Sequence, residues 1–243
     1  MSTTNFLLSA LSAEGHKLLV SRMTAVALPL RTVLYSSNEA PTHAYFITSG
    51  LASMVTSMSD GATAEVSFVG REGLVGGFHL LGPAEVPTNC FIQMEGSALK
   101  IAMVDLKEAF DSSEEIRQRI LEAVQEQALT IGQIAACNRL HEAEERLARW
   151  LLMARDRTQS DVLNITQEFL AEMLGARRTT VTMVAGALQR SGFIEYRRGH
   201  VRILDRINLE AASCDCYKVI KRLYHGLYKD VAGVALKNGS MKR

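Results

Sequence analysis

At 243 residues, with 47% hydrophobic and 22% charged residues and a formal net charge of +1, the chain is long enough for two cores and is neither disordered nor a global polycation. No apolar run reaches bilayer-spanning length, and the start, MSTTNFLLSALSAEG, lacks the basic stretch and sustained apolar run of an export signal. Cysteines at 90, 137, 214 and 216 do not form a disulfide framework in a chain this large, so a cytoplasmic setting is expected.

Residues 1–111 read as strands. Ala44–Thr48, Leu51–Met58 and Thr63–Val69 are short, apolar or β-branched, and Ser59-Asp60-Gly61 is a hairpin signal. Further strands are expected over Cys90–Glu95 and Ala98–Val104, with Gly96 between them. Many short strands at regular spacing predict a sandwich or roll, and pattern alone leaves open whether it is a sensor β-roll or a sugar-binding jelly roll. Glycines 70, 73, 76 and 77 are followed by no P-loop lysine and read as turns.

A long helix is expected over residues 112–140. Ser112-Ser113-Glu114-Glu115 reads as a capping box, with Ser112 at the cap and Glu115 reaching back. Ile116, Ile120, Val124, Gln127, Ile131, Ile134 and Asn138 then step by fours and threes, the seam that a two-stranded coiled coil buries. The length of the helix favours a dimer through this seam over packing on the chain's own strands. Asn138 lies near a hinge before Leu140–Ala154, whose Leu147, Trp150 and Leu151 would bind that helix to the next domain.

Within a winged domain expected over residues 141–206, Ile165 to Arg206 carry the most telling pattern. Thr166 is a good N-cap for a helix whose apolar face is Phe169, Leu170, Met173 and Leu174 and which Gly175 ends. A second helix buries Val181, Val184, Ala185 and Leu188 and stops at Gly192, presenting Arg177, Arg178, Thr179, Thr182, Met183 and Arg190 on its other face. Phe193, Ile194 and Tyr196 lead to a turn at Arg198-Gly199, and His200, Val201, Ile203 and Leu204 return as a second strand. The segment 165–206 holds seven arginines, no lysine and four acids. A winged helix-turn-helix with paired arginines opening its second helix is shaped for a DNA major groove.

Residues 207–243 form a helical extension with the stripe Tyr217, Ile220, Leu223, Tyr224, Leu227, Tyr228 and Val231, and with Lys218, Lys221, Arg222 and Lys229 elsewhere. Cys214-Asp215-Cys216 would supply two of the four ligands that zinc needs, but with no second pair nearby and His225 distant, no metal is expected. The two cysteines read as small residues opening the final helix.

Three further motifs, YFITSG at Tyr45–Gly50, VGREGLVGG at Val69–Gly77 and RLARWLLMA at Arg146–Ala154, extend a resemblance that the helix-turn-helix block carries. The chain resembles the Crp/Fnr family of bacterial transcription regulators over nearly its whole length. That resemblance implies an α+β protein: an amino-terminal double-stranded β-helix (jelly-roll) sensor of the cyclic-nucleotide-binding kind, a long dimerisation helix, and a winged helix-turn-helix that binds a palindromic operator as a homodimer. It implies Arg178 at a guanine edge, with Thr179, Thr182 and Met183 at neighbouring readout positions, and Thr166, Arg177, Arg198 and His200 meeting phosphate. Thr179 and Met183 depart from the best-known members' glutamate and arginine, so a different operator is expected. An activator would also contact RNA polymerase.

The sensor departs as well. The position of the ribose-binding glutamate is Gly77, and the phosphate-gripping Arg-Ser pair is Pro87-Thr88. A phosphate buried without a cation loses its hydration and gains no pairing, so cyclic AMP in the usual mode is not expected. No cysteine precedes Cys90, which excludes the family's amino-terminal iron–sulfur cluster. No cofactor is expected; an unknown small effector remains open. Two rivals stand beside the regulator: a cyclic-nucleotide-type binding module with a divergent pocket, and a cupin-like metal enzyme, which the absence of an H-x-H pair and the separation of His43 from His79 disfavour. No enzyme signature appears.

Overall fold

Asn5 shows how the amino terminus is held. Its side-chain oxygen caps α1 (Phe6–Ser9) by accepting from the Leu8 amide, and its NH2 donates to the carbonyls of Ile47 (3.0 Å) and Gly73 (2.7 Å). A buried amide thus finds its partners across the sheet, as burial requires. The structure, a computed structural model, describes residues 4–59, 61, 63–82, 85–197 and 199–229; Arg198 and Val231 lie outside them.

After α2 (Ala13–Val20) come β1 (Thr24–Leu28), β2 (Val33–Tyr35), β3 (His43–Ser57), β4 (Thr63–Val69), β5 (Leu74–Val75), a 3-10 turn over Gly77–Leu80, and β6 (Asn89–Ala102). They pair in the order β1-β6-β3-β4, with β2 on β6 and β5 on β3, and every pairing is antiparallel. The separate strands expected on either side of residue 50, and the two expected around Gly96, are single long strands that bend. Gly50 has a φ of 83°, and a side chain on Gly96 would run into the Ser49 carbonyl. Glycine therefore permits a bulged close crossing here, where a β-carbon would have broken the pairing. The strand expected to reach Val104 ends at Ala102, because Met103 opens α3 (Met103–Ser112).

The long helix α4 (Glu114–Leu140) follows directly. Its N-cap is Ser113, not Ser112, and the expected capping box does not form. Ser112 closes α3, while both oxygens of Glu115 accept from the backbone and hydroxyl of Ser12, the N-cap of α2. The expected dimer seam also needs correction. Ile116, Ile120, Val124, Gln127 and Ile134 are buried within this chain, Ile131 is half-buried, and Asn138 is exposed. Ile116, Ile120 and Val124 pack with Phe46, Leu74 and Ile101 of the roll, and the Gln127 amide reaches the Met54 sulfur at 2.8 Å. The seam is real, but its partner is the chain's own sheet.

The carboxy-terminal part comprises α5 (Ala143–Thr158), β7 (Val162–Asn164), α6 (Gln167–Leu174), α7 (Arg178–Arg190), β8 (Ile194–Arg197), β9 (His200–Ile203), α8 (Arg206–Ala212) and α9 (Cys216–Gly226). One apolar cluster runs from Leu51, Val55 and Phe68 of the roll through Leu147, Trp150 and Leu151 of α5 into the helix-turn-helix. Two polar contacts cross the same junction. Arg157 on α5 is buried between Glu72 (2.9 Å) and Glu126 of α4 (3.4 Å). Glu65 on β4 accepts from the Trp150 indole at 2.7 Å and from the Ser53 hydroxyl at 2.6 Å.

Burial pushes the Glu65 carboxyl up to about 7 from 4.5, against the pull of those two hydrogen bonds and of Arg149 and Arg157. The folded state therefore holds a proton here that the unfolded chain releases. The resulting stabilisation is complete below the unfolded value and is lost as pH rises through about 7. Glu65→Gln keeps an acceptor for Trp150 without the titrating proton. In denaturant unfolding it should match the parent near pH 5 and gain on the order of 1–3 kcal/mol over it by about pH 8. Parallel stability curves would refute the assignment.

Candidate nucleic-acid interface

The helix pair forms for local reasons. The Thr166 hydroxyl accepts from the Phe169 amide at 3.2 Å, and Gly175 ends α6 with a φ of 56°. Phe169, Leu170, Met173 and Leu174 are buried, as are Val181, Val184, Ala185 and Leu188 of α7. Because α7 turns one face inward, the residues between these positions face out. Arg177, Arg178, Thr179 and Thr182 are exposed, and Met183 keeps 64% of its surface accessible.

The start of α7 carries arginines at Arg177 and Arg178 and no acid in its first turn. Two successive arginines thus sit at the positive end of a helix dipole, beside the backbone N–H groups that a helix start leaves without helical partners. That arrangement favours an anion. The Thr182 hydroxyl has the Arg178 carbonyl at 2.9 Å and Gln167 Oε1 at 3.0 Å, two acceptors for one proton, which ties α7 to the start of α6. Thr166 accepts with its oxygen, so its own O–H stays available to a phosphate.

The wing is three strands rather than two, since β7 pairs with β9 and β9 with β8. The turn uses Gly199 at a φ of 83°. His200 Nδ1 lies 2.8 Å from Asn164 Oδ1 across the β7–β9 pair, fixing an exposed imidazole at the wing edge. Alternation along β9 buries Val201 and Ile203 and leaves His200 and Arg202 exposed. Arg202 and Gln167 are absent from the sequence-based set, although the alternation of β9 could have supplied Arg202. Arg197 is committed to Glu195 at 2.9 Å on the exposed surface.

The helix-turn-helix also leans on the roll. The Thr63 hydroxyl donates to Glu172 at 2.9 Å, and Phe91 meets Phe169 edge-to-face at 5.9 Å.

Between the roll and α4 is a small cavity whose lining includes Phe68, Glu72, Val124, Glu126, Gln127 and Leu227. Its two carboxylates, Glu72 and Glu126, are both paired with Arg157, and no lysine or arginine is among its lining residues. A side chain added at Gly77 would begin 2.9 Å from Val124, so α4 occupies the space that a longer residue there would need. Thr88 bonds to the Tyr35 hydroxyl at 3.1 Å, and Tyr35 meets the buried His79 ring edge-to-face. Burial holds His79 below its usual pKa. The Tyr228 hydroxyl, from just beyond α9, donates to the Glu72 carbonyl at 2.7 Å.

The sequence reading missed one further cluster. Cys137 and His141, at the end of α4, meet Cys214 and Cys216, at the start of α9, with their ligand atoms all within 4.8 Å of one another. The second pair sought around Cys214-Asp215-Cys216 is therefore Cys137-x3-His141. Distance along the chain hid it, although its four-residue step on a helix was a readable signal. Exposed His225 meets the Tyr224 ring edge-on instead.

Residues 25–113 match the cyclic nucleotide-binding domain and residues 145–212 the Crp-like helix-turn-helix domain. Similar solved structures include FixK2 from Bradyrhizobium japonicum (15% identity, TM-score 0.68, 79% of this chain and 98% of that one). The c-di-GMP responsive global regulator CLP of Xanthomonas campestris aligns at 18% identity and TM-score 0.64, over 79% of this chain and 99% of that one. A CRP-family transcriptional regulator from Thermus thermophilus aligns at 22% identity and TM-score 0.65, over 79% and 96%. At these identities the likeness is one of fold. No curated protein sequence matches the chain.

Removing the cap tests how the interface is built. Thr166→Ala should lower stability by about 1 kcal/mol in chemical denaturation, through loss of the bond to the Phe169 amide. A change of only a few tenths would mean that the hydroxyl does not cap α6.

Proposed function

We propose how this chain, a Crp/Fnr-type transcription regulator by its paired cyclic nucleotide-binding and Crp-like helix-turn-helix domains, engages DNA: as a homodimer that places two copies of α7 in successive major grooves of a palindromic site. The observation that carries this reading is the exposed face of α7, where Arg177, Arg178, Thr179, Thr182 and Met183 are open to solvent while the opposite face closes a core. Arg178 would reach a guanine edge, with Thr179, Thr182 and Met183 beside it. Thr166, Arg177, His200 and Arg202 would meet phosphate. As an activator, the bound protein would also touch RNA polymerase. No helix among the described residues is long and apolar enough to cross a membrane.

The dimer face is the side of α4 turned away from the roll. Leu121, Gln125, Ala128, Gly132, Ala135 and Arg139 step by fours and threes, and all are exposed. Leu129 and Leu140 flank them with 51% and 74% of their surfaces accessible. Small residues at the centre let two helix backbones approach, and no atom stands within 4 Å of where a Gly132 side chain would begin. A helix of 27 residues is about 40 Å long, comparable to the roughly 34 Å between half-sites.

Cyclic AMP held in the usual way does not suit the pocket, because Gly77 lies against Val124 and the lining residues include no cation to pair a phosphate. The same reasoning weighs against other phosphate-bearing effectors and separates this chain from the c-di-GMP responsive regulator it resembles in fold.

Selection from random duplexes should return palindromic sites. Arg178→Ala should weaken binding by about 1–3 kcal/mol and relax one base position per half-site. Unchanged affinity and specificity would overturn the recognition scheme. Gly132→Leu raises helix propensity while blocking close approach, so it should yield a folded monomer in sedimentation velocity. A dimer that survives this change would place the interface elsewhere.

A further inference from the structure

We propose that Cys137, His141, Cys214 and Cys216 form a structural zinc site that fastens the end of α4 to the start of α9. Cys137 Sγ lies 3.4 Å from Cys214 Sγ, and Cys216 Sγ lies 3.6 Å from His141 Nδ1. A tetrahedral ion with Zn–S bonds of about 2.3 Å separates its ligand atoms by about 3.8 Å. The four side chains already stand close to that arrangement.

The surroundings are those of a metal site rather than of plain core packing. Three cysteines could fill a small apolar gap, but a histidine would not be expected to aim one nitrogen at a thiol there. With Nδ1 facing the sulfurs, His141 Nε2 lies 3.5 Å from the Asp215 carboxylate. A ligand histidine that donates its other N–H to a carboxylate is oriented and made more basic by it. The Gln133 amide donates to Cys216 Sγ at 3.1 Å, a bond that a thiolate ligand accepts better than a thiol.

Charge supports the same assignment. Three thiolates, a neutral imidazole and a dication leave one negative charge. Arg149 is buried, exerts its field on Cys137 and Cys214, and has no hydrogen-bond partner at Nε. Its Nη1 meets the Met153 sulfur at 3.3 Å, which offers no charge. An anionic metal centre would complement that guanidinium. Binding displaces a proton from each thiol, which solvent takes up.

Thiolate and imidazole donors in a closed four-ligand set select zinc over hard cations such as magnesium or calcium. An iron–sulfur core would add its own bridging sulfides and spread the four ligand atoms beyond their present 4.8 Å. A Cys137–Cys214 disulfide would leave Cys216, His141 and the Asp215 contact without a purpose. The site's position gives it a task. His141 ends α4 where the chain turns into α5, and α9 packs on both helices. One ion there would set the angle between the long helix and the winged domain.

The full chain, purified without added metal or affinity-tag chelate, should contain about one zinc per chain by elemental analysis. After chelation, cobalt(II) should restore the site with thiolate charge-transfer and tetrahedral d–d absorption. Cys137→Ser and Cys214→Ser should lose most of the bound metal, whereas His141→Cys and Cys90→Ala should retain it. Should the serine variants fail to fold, the native chain's metal content and cobalt spectrum, with His141→Cys, still decide. Zinc-free protein that cannot take up tetrahedral cobalt overturns the proposal. So does iron with acid-labile sulfide, or a Cys137–Cys214 disulfide in native protein. None of these measurements depends on DNA.

Discussion

Arg157 is the point at which the parts of the chain meet. Its guanidinium is buried between Glu72, from the loop after β4, and Glu126, from the middle of α4. It also lies over the rings of Phe68, from the roll, and Tyr224, from α9, at 5.0 and 5.4 Å. Its side chain passes so close to Gly70 that a β-carbon there would begin 2.8 Å from its own. A buried ion pair of this kind adds little net stability against an apolar replacement, yet losing one partner costs about 3–5 kcal/mol. Its effect is on specificity: roll, long helix, winged domain and final helix can satisfy these charges in one mutual arrangement.

That constraint makes sense of the polar contacts around it. Glu65 joins β4 to the Trp150 indole, and Asp156, the residue before Arg157, accepts from the Tyr217 hydroxyl of α9 at 2.7 Å and pairs with Arg206 at 3.0 Å. α5 therefore acts as a hub. Its inner face meets the roll through Trp150 and Arg157, and its far side meets α8 and α9. A shift of the roll against α4 would reach the helix-turn-helix through these contacts, with no flexible linker between to absorb it. Coupling of this sort needs two arrangements of similar energy, and Glu65 lies where the roll meets α5.

What can be read from the sequence follows the range of the interactions involved. The cap at Thr166, the stop at Gly175 and the face of α7 depend on neighbours within a few residues, and the structure places each as expected. The seam of α4 is legible as a stripe, but its pattern does not name its partner. Periodicity shows that a face is buried, not what buries it, and α4 has a second stripe of smaller residues on its other side. The bends at Gly50 and Gly96 depend on strands meeting across about 45 positions, which no local pattern reveals. The Cys137 cluster escapes a sequence reading for the same reason, since its halves are joined only by the packing of α4 on α9.

Gly77 and Val124 set a last boundary. Because the 3-10 turn meets a Val124 methyl there, a β-carbon at Gly77 would begin 2.9 Å from it, and a carboxylate would have to push it aside. If α4 draws back to make that room, it moves along the stretch that includes Glu126. Arg157 would then lose half of its counter-charge. The contour of this cavity and the posture of the reading head, some distance away, are therefore set by a single helix and cannot be altered independently.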